Sequence, residues 1–232
     1  SGGVAKCLRM QGKCLYYIKR YDEAWMLMNQ ALDIAIQIDS KKQIVACHKQ
    51  LYYLCREFKR MMNERGDEQA STLFFRESLL HEMYFSEKPR LAELTVRYEA
   101  LRCDIMQQYY MNKDYDNVIR IATSLDFHDD TDPNASCLVY YYKAQAYVKL
   151  ENYPMAKEAF FRELELRKKY LGWEEEDTIL ACQNLGVLYS FCNEREEALA
   201  CFREAYGHEV KKNGEDSEMA QKLLQYISVV ES

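Results

Sequence analysis

Apolar and aromatic positions recur at helical spacing along nearly the whole chain, and the interruptions share one form. The stretch YVKLENYPMAKEAF, Tyr147 to Phe160, carries alanines and aromatics at helical spacing on both sides of Pro154. Proline inside a helix removes a backbone donor and clashes with the preceding turn, at about 3 kcal/mol, yet it fits the first turn of a new helix. The pattern predicts a joint between two helices.

That joint recurs. Tyr21-Asp22-Glu23-Ala24 follows GKCLYYIKR, Tyr153-Pro154-Met155-Ala156 follows AQAYVKLEN, and Tyr115-Asp116-Asn117-Val118 follows MQQYYMNKD. A fourth copy, Arg195-Glu196-Glu197-Ala198, follows GVLYSFCNE, and a fainter one, Asp67-Glu68-Gln69-Ala70, follows FKRMMNERG. Their last residues stand 46, 48, 38 and 42 positions apart. Self-similarity at this period predicts stacked helical hairpins. The expected class is all-α, a superhelical array of about five hairpins within one domain over 4–232. The units fall at about 4–40, 41–85, 90–128, 135–172 and 176–214, with a closing helix over 216–230 in which Asp216 or Ser217 is the N-cap.

Within each hairpin the spacing has a packing logic. In the first helix a small or slim residue precedes a large one by three positions: Gly12 and Leu15, Ala144 and Tyr147, Gly186 and Tyr189. After the joint, Ala24, Ala156 and Ala198 let the second helix close on the first. Met28, Phe160 and Phe202, four residues later, are expected to fill the gap between neighbouring hairpins.

Composition supports this class. Hydrophobic residues make up 48% and aromatic residues 13% of 232 residues, too rich for disorder, while 8 glycines and 3 prolines are few for a protein of many tight turns. A net charge of −6, with 31 basic and 37 acidic residues interspersed, disfavours direct contact with nucleic acid. Nine cysteines, none in a C-x-x-C pair and several at apolar positions such as Cys14, Cys103 and Cys182, point to a reducing, cytoplasmic setting. No apolar run approaches the roughly 20 residues that cross a bilayer, and no secretion-signal pattern opens the chain. Ser1-Gly2-Gly3 reads as a cloning remnant, so the natural chain is expected to extend further toward the N-terminus.

Three stretches, LRMQGKCLYYIKRYDEAWMLMNQAL, YYYKAQAYVKLENYPMAKEAFFREL and CQNLGVLYSFCNEREEALACFREAY, resemble the tetratricopeptide repeat family. The last unit, with EEEDTILACQNLGVLY and its 42-residue interval, is similar to the longer variant of kinesin light chains. The second unit has a looser likeness to the helical repeats of bacterial signalling proteins.

Candidate chemistry is sparse. There is no phosphate-cradling glycine loop, Gly-x-Ser-x-Gly, His-Glu-x-x-His or triad, so neither an enzyme nor a cofactor is expected. Cys47 and His48 are adjacent and diverge by about 100° on a helix, and His81, His128 and His208 have no cysteine or histidine at ligand spacing, so no metal site is expected. These groups read as core thiols and surface imidazoles. The run Asp126 to Asn134 has hard oxygen donors but lacks the glycine and terminal glutamate of an EF-hand, and reads as a solvated loop. Glu174-Glu175-Glu176-Asp177 reads as an acidic helix start favoured by the helix dipole.

The resemblance implies a concave surface lined by each first helix. Its register places Arg9, Lys13, Tyr16 and Tyr17 there, then Arg56, Lys59 and Asn63, then Asp104, Gln107 and Tyr110. Tyr141, Tyr142, Gln145 and Lys149 follow, and then Gln183, Asn184, Val187 and Phe191. Such a groove is basic in its N-terminal half and rich in tyrosine and amides, which suits a protein or peptide partner with an acidic segment or free carboxylate. The chaperone-tail clamp of the family is matched near Lys13 and Arg56 but not in its asparagines, and the asparagine rule of kinesin light chains only at Asn184. The expected function is a non-catalytic interaction module of a larger adaptor or scaffold. The alternatives are the ligand-sensing part of a bacterial transcriptional regulator and a self-associating homo-oligomeric scaffold.

Overall fold

The computed structural model describes residues 2–86, 98–123 and 132–232. Among them the chain forms eleven helices and no strand. They are α1 (Gly2–Tyr17), α2 (Tyr21–Gln37), α3 (Lys41–Glu64), α4 (Glu68–Glu82), α5 (Tyr98–Met111) and α6 (Tyr115–Thr123). There follow α7 (Pro133–Lys149), α8 (Tyr153–Tyr170), α9 (Glu176–Phe191), α10 (Arg195–Asn213) and α11 (Glu218–Glu231). The order is the expected one of five hairpins and a closing helix, and α1 already includes Gly2 and Gly3.

One turn builds every hairpin. Two residues before each second helix the backbone enters the left-handed region, at Lys19, Gly66, Lys113, Glu151 and Asn193, with φ between 58° and 75°. The next residue's N–H then reaches back across the turn: Arg20 to Leu15 O, Asp67 to Met62 O, Asp114 to Tyr109 O, Asn152 to Tyr147 O and Glu194 to Tyr189 O, all at 2.9–3.0 Å. This satisfies carbonyls that the end of the first helix leaves without an intrahelical partner. Pro154 falls in the first turn of α8, where it costs nothing, and the Asn152 side chain accepts from Met155 N. Asp67, Asp132 and Ser217 cap α4, α7 and α11 likewise.

The turn also corrects the register of the faint repeat. Ala24, Val118, Ala156 and Ala198 each donate a backbone N–H to the residue that caps the second helix, and Ser71 does so to Asp67. Ser71, not Ala70, is thus the counterpart of Ala24, and it is buried where Ala70 is not. The intervals become 47, 47, 38 and 42 residues.

By contacts the chain forms two compact units, Ser1–Gln108 and Tyr109–Ser232. In the first, α1 packs on α2, α2 on α3 and α3 on α4. The core there joins Ala24, Met28, Ala31 and Leu32 to Cys47, Leu51, Leu54 and Phe58. In the second unit α6 packs on α7, and each helix from α7 to α11 packs on the next. Its core includes Ala144, Ala156, Phe160, Cys182, Leu185, Ala198, Phe202 and Leu223. The Phe202 ring stacks on Tyr226 of α11 at 5.1 Å, so the closing helix covers the last hairpin.

Among the described residues no helix is long and apolar enough to cross a membrane. Cys103 and Cys182 are buried as the pattern predicts, but Cys14 is exposed. It lies beside Met10, Gln11, Leu15 and Ile18 of α1 and Leu27 of α2, on an open and mostly apolar part of the surface.

Candidate functional site

The first unit holds two adjoining cavities. One, of about 510 Å³, is lined by Arg9, Lys13, Tyr16 and Tyr17 of α1 with Ala46, Lys49, Gln50 and Tyr53 of α3. The other, of about 530 Å³, is lined by Tyr16, then Tyr53, Arg56, Glu57, Lys59, Arg60 and Asn63 of α3, and Phe75 and Ser78 of α4. Tyr16 and Tyr53 belong to both. The structure therefore brings together Arg9, Lys13, Tyr16, Tyr17, Arg56, Lys59 and Asn63 on one concave surface.

The charges there are held by rings and amides more than by carboxylates. Lys13 lies over the Tyr17 ring at 5.8 Å, Arg56 over Tyr52 at 5.7 Å and Lys59 over Phe75 at 4.6 Å. Arg9 Nε donates to Gln43 Oε1 at 3.3 Å. Arg60 is engaged by Glu57 and Glu64 along its own helix. No ion pair among the described residues holds Lys13, Lys49, Arg56 or Lys59. Burial, then the Glu57 charge, pushes the Tyr16 hydroxyl above its ordinary range, so it stays a neutral donor and acceptor at neutral pH.

In the second unit a smaller, more apolar cavity of about 260 Å³ lies between α7, α8 and α9. Val148, Tyr153, Phe160, Val187, Leu188 and Phe191 form its walls, and Gln145 and Asn184 place two carboxamides at it. Tyr153 and Phe191 face each other at 5.1 Å. Tyr110, Tyr141 and Tyr142 form a ring cluster, with Tyr110–Tyr142 at 5.8 Å and Tyr141–Tyr142 at 5.4 Å. Lys149 is exposed, as are Asp104 and Gln107 on α5, and none of the three lines a cavity described here. Gln183 differs from its expected place: it is 5% exposed, turned into the core of α9.

Several lining residues escaped the sequence reading. Lys49, Tyr53 and Arg56 follow one another at i, i+4 and i+7 on one face of α3, a spacing that extends the stripe back from Arg56. Phe75 and Ser78 come from a second helix and lay outside a rule that drew on first helices alone. His48 and His81 are also not the surface imidazoles expected: both are fully buried, and their Nδ1 atoms meet at 2.9 Å. His208 stacks on Trp173 at 4.0 Å, and His128 and most of the run from Asp126 lie outside the described residues. Asp132 at the end of that run caps α7, and Glu176 and Asp177 open α9, where Asp177 receives Arg167 Nη1 at 3.2 Å.

The class these features define is an all-α helical-hairpin repeat protein with concave, side-chain-lined cavities between successive hairpins. No family profile matches the chain, and no curated protein matches it. Among solved structures it is similar to the TPR2AB-domain:pHSP90 complex of yeast Sti1, at 16% identity over 100% of both chains with a TM-score of 0.45.

Proposed function

We propose that this chain is a non-catalytic interaction module that holds an acidic or carboxylate-bearing segment of a partner protein between α1 and α3. One observation carries the reading: Lys13, Lys49, Arg56 and Lys59, unengaged by any carboxylate among the described residues, surround cavities that share Tyr16 and Tyr53. Cations without an ion-pair partner in a concave setting raise the local potential above that of a flat face, although Glu57 also lines the cavity and the chain as a whole is acidic. The tyrosines add contact area at little cost in side-chain entropy, and their hydroxyls can pair with an extended backbone. In the second unit, Gln145 and Asn184 beside an apolar cavity suit an amide-flanked hydrophobic side chain, and α9–α10 act as the kinesin-light-chain-like variant of the repeat. The setting is cytoplasmic, within a larger adaptor.

Fluorescence anisotropy with labelled peptides tests this, comparing an acidic peptide with its amidated, charge-neutral counterpart. Binding of the acidic peptide alone, lost on Arg56→Glu with Lys59→Glu and kept on Asn184→Ala, is the expected result. Equal binding of both peptides, or no loss on charge reversal in a variant of unchanged helicity, would overturn the assignment to α1 and α3.

A further inference from the structure

Behind the first unit's cavities lies a cluster that the peptide groove does not use. Cys55 of α3 and Glu77 and His81 of α4 are each fully buried, and one ligand atom from each lies within 4.8 Å of the other two. His48, two helical turns before Cys55 on the same face of α3, completes the group through its contact with His81. We infer that Cys55, Glu77 and His81 form a site for a divalent transition metal ion of the zinc type, with His48 as its positioning residue.

Ligation through His81 Nε2 would fix the roles, because that nitrogen must then be unprotonated and His81 must donate from Nδ1. An Nδ1···Nδ1 contact of 2.9 Å requires that one ring carry its proton on Nδ1 and the other accept there. With His81 as donor, its Nε2 presents a lone pair on the side where Glu77 Oε1 stands at 3.6 Å. A cation placed between them would take both Nε2 and the Glu77 carboxylate as ligands. His81 then has the arrangement common to metal-bound imidazoles, in which one nitrogen ligates and the other donates to a second group. The His48 ring is itself held by stacking on Tyr84 at 3.7 Å and 10°.

Distance, charge and donor type agree. Around zinc, ligand atoms at about 2.0–2.3 Å from the ion stand roughly 3.3–3.8 Å from one another, so closing on a metal asks each side chain to move by under about 1 Å. One thiolate, one carboxylate and one neutral imidazole balance a divalent charge, which allows the ion into an interior where an uncompensated charge would be costly. Sulfur, nitrogen and oxygen donors together suit zinc or cobalt and not calcium or magnesium, which take oxygen shells. Binding releases the thiol proton, and the ion joins α3 to α4 through Cys55 on one helix and Glu77 and His81 on the other.

The test is cobalt titration of the 232-residue chain after chelator treatment, in a Cys7→Ser, Cys14→Ser background that removes the two exposed thiols. The expected result is saturation at one equivalent, with a thiolate-to-cobalt charge-transfer band, the strong visible bands of a tetrahedral site, and displacement by zinc. Cys55→Ser should lose the charge-transfer band. His48→Gln should keep the band and weaken zinc affinity by about 10–100-fold, an effect that a merely structural role would not produce. Should Cys55→Ser fail to fold, the near-isosteric Glu77→Gln replaces it, with altered visible bands expected. Absence of a thiolate band at one equivalent, or bands unchanged in a folded Cys55→Ser or Glu77→Gln variant, would overturn the site and leave a proton on His81 Nε2 as the group facing Glu77.

Discussion

An edge carbon of the Phe202 ring stands 2.8 Å from the point that a Cβ on Gly186 would occupy, and the Cys201 Cβ stands at 3.0 Å. No side chain larger than hydrogen fits there without moving a buried ring that also stacks on Tyr226. Gly186→Ala should therefore destabilise the chain by about 1–3 kcal/mol, read as a lower urea midpoint. At the matching place in the first hairpin, a Cβ on Gly12 meets the Met28 methyl at 2.9 Å, the far end of a flexible thioether, with the Ala24 carbonyl at 3.3 Å. Gly12→Ala should cost less than Gly186→Ala; the reverse order would contradict the packing described for the two joints.

Glu163 makes stability depend on pH. Burial raises its carboxyl from 4.5 to about 7, with Arg167 opposing the rise and the Asp177 charge adding to it. Its Oε1 accepts from Arg167 Nε at 2.8 Å, and among the described residues its Oε2 has no hydrogen-bond partner. A carboxyl whose folded value lies above its unfolded one binds more protons when folded, so its contribution is complete below about 4.5 and is lost as pH rises to about 7. In Glu163→Gln the denaturation midpoint should change less across that window than in the native chain, and an equal slope in both would refute the assignment.

Glu151 sits in the left-handed region at φ 58° without the freedom of glycine. That conformation costs an ordinary residue about 1–2 kcal/mol, while glycine adds about 0.4–1 kcal/mol of unfolded-state entropy. Glu151→Gly should thus stabilise by about 0.5–1 kcal/mol in thermal melts. Asn193→Gly should gain less, because asparagine tolerates the region already.

If the cations of α1 and α3 hold the ligand, affinity for an acidic peptide should fall roughly tenfold from low to high salt, since partly exposed charges are screened within about 8 Å at physiological strength. Tyr53→Ala, which opens both cavities at once, should lower affinity at either salt concentration and leave the salt slope in place. Titrations at several ionic strengths separate the two effects.

The joints were legible because proline and small residues act locally: Pro154, Gly12 and Gly186 can be read with no knowledge of the neighbouring hairpin, whereas the left-handed residues Lys19, Lys113 and Glu151 carry no such mark. The register of the second repeat was not, because neither Ala70 nor Ser71 is large or charged enough to declare which face is inward. A shift of one position rotates a helix by about 100°. That rotation also explains Gln183, which lies in the core beside Asn184 at the cavity. The His48–His81 contact spans 33 residues and two helices. Its traces in the sequence, His48 with Cys55 at i+7 and Glu77 with His81 at i+4, emerge only when carboxylates are counted along with cysteines and histidines.

The five joints have a bearing on how the chain comes apart. Each is closed by hydrogen bonds between residues a few positions apart, and each draws its two helices from neighbouring sequence. A hairpin formed this way does not wait for distant strands of the chain to find it, so assembly should be quick and piecemeal. Loss should be piecemeal as well: amide exchange would rank the hairpins by their own seams, and a lesion such as Gly186→Ala would loosen α9 and α10 first while leaving the protection of α1 and α2 largely intact.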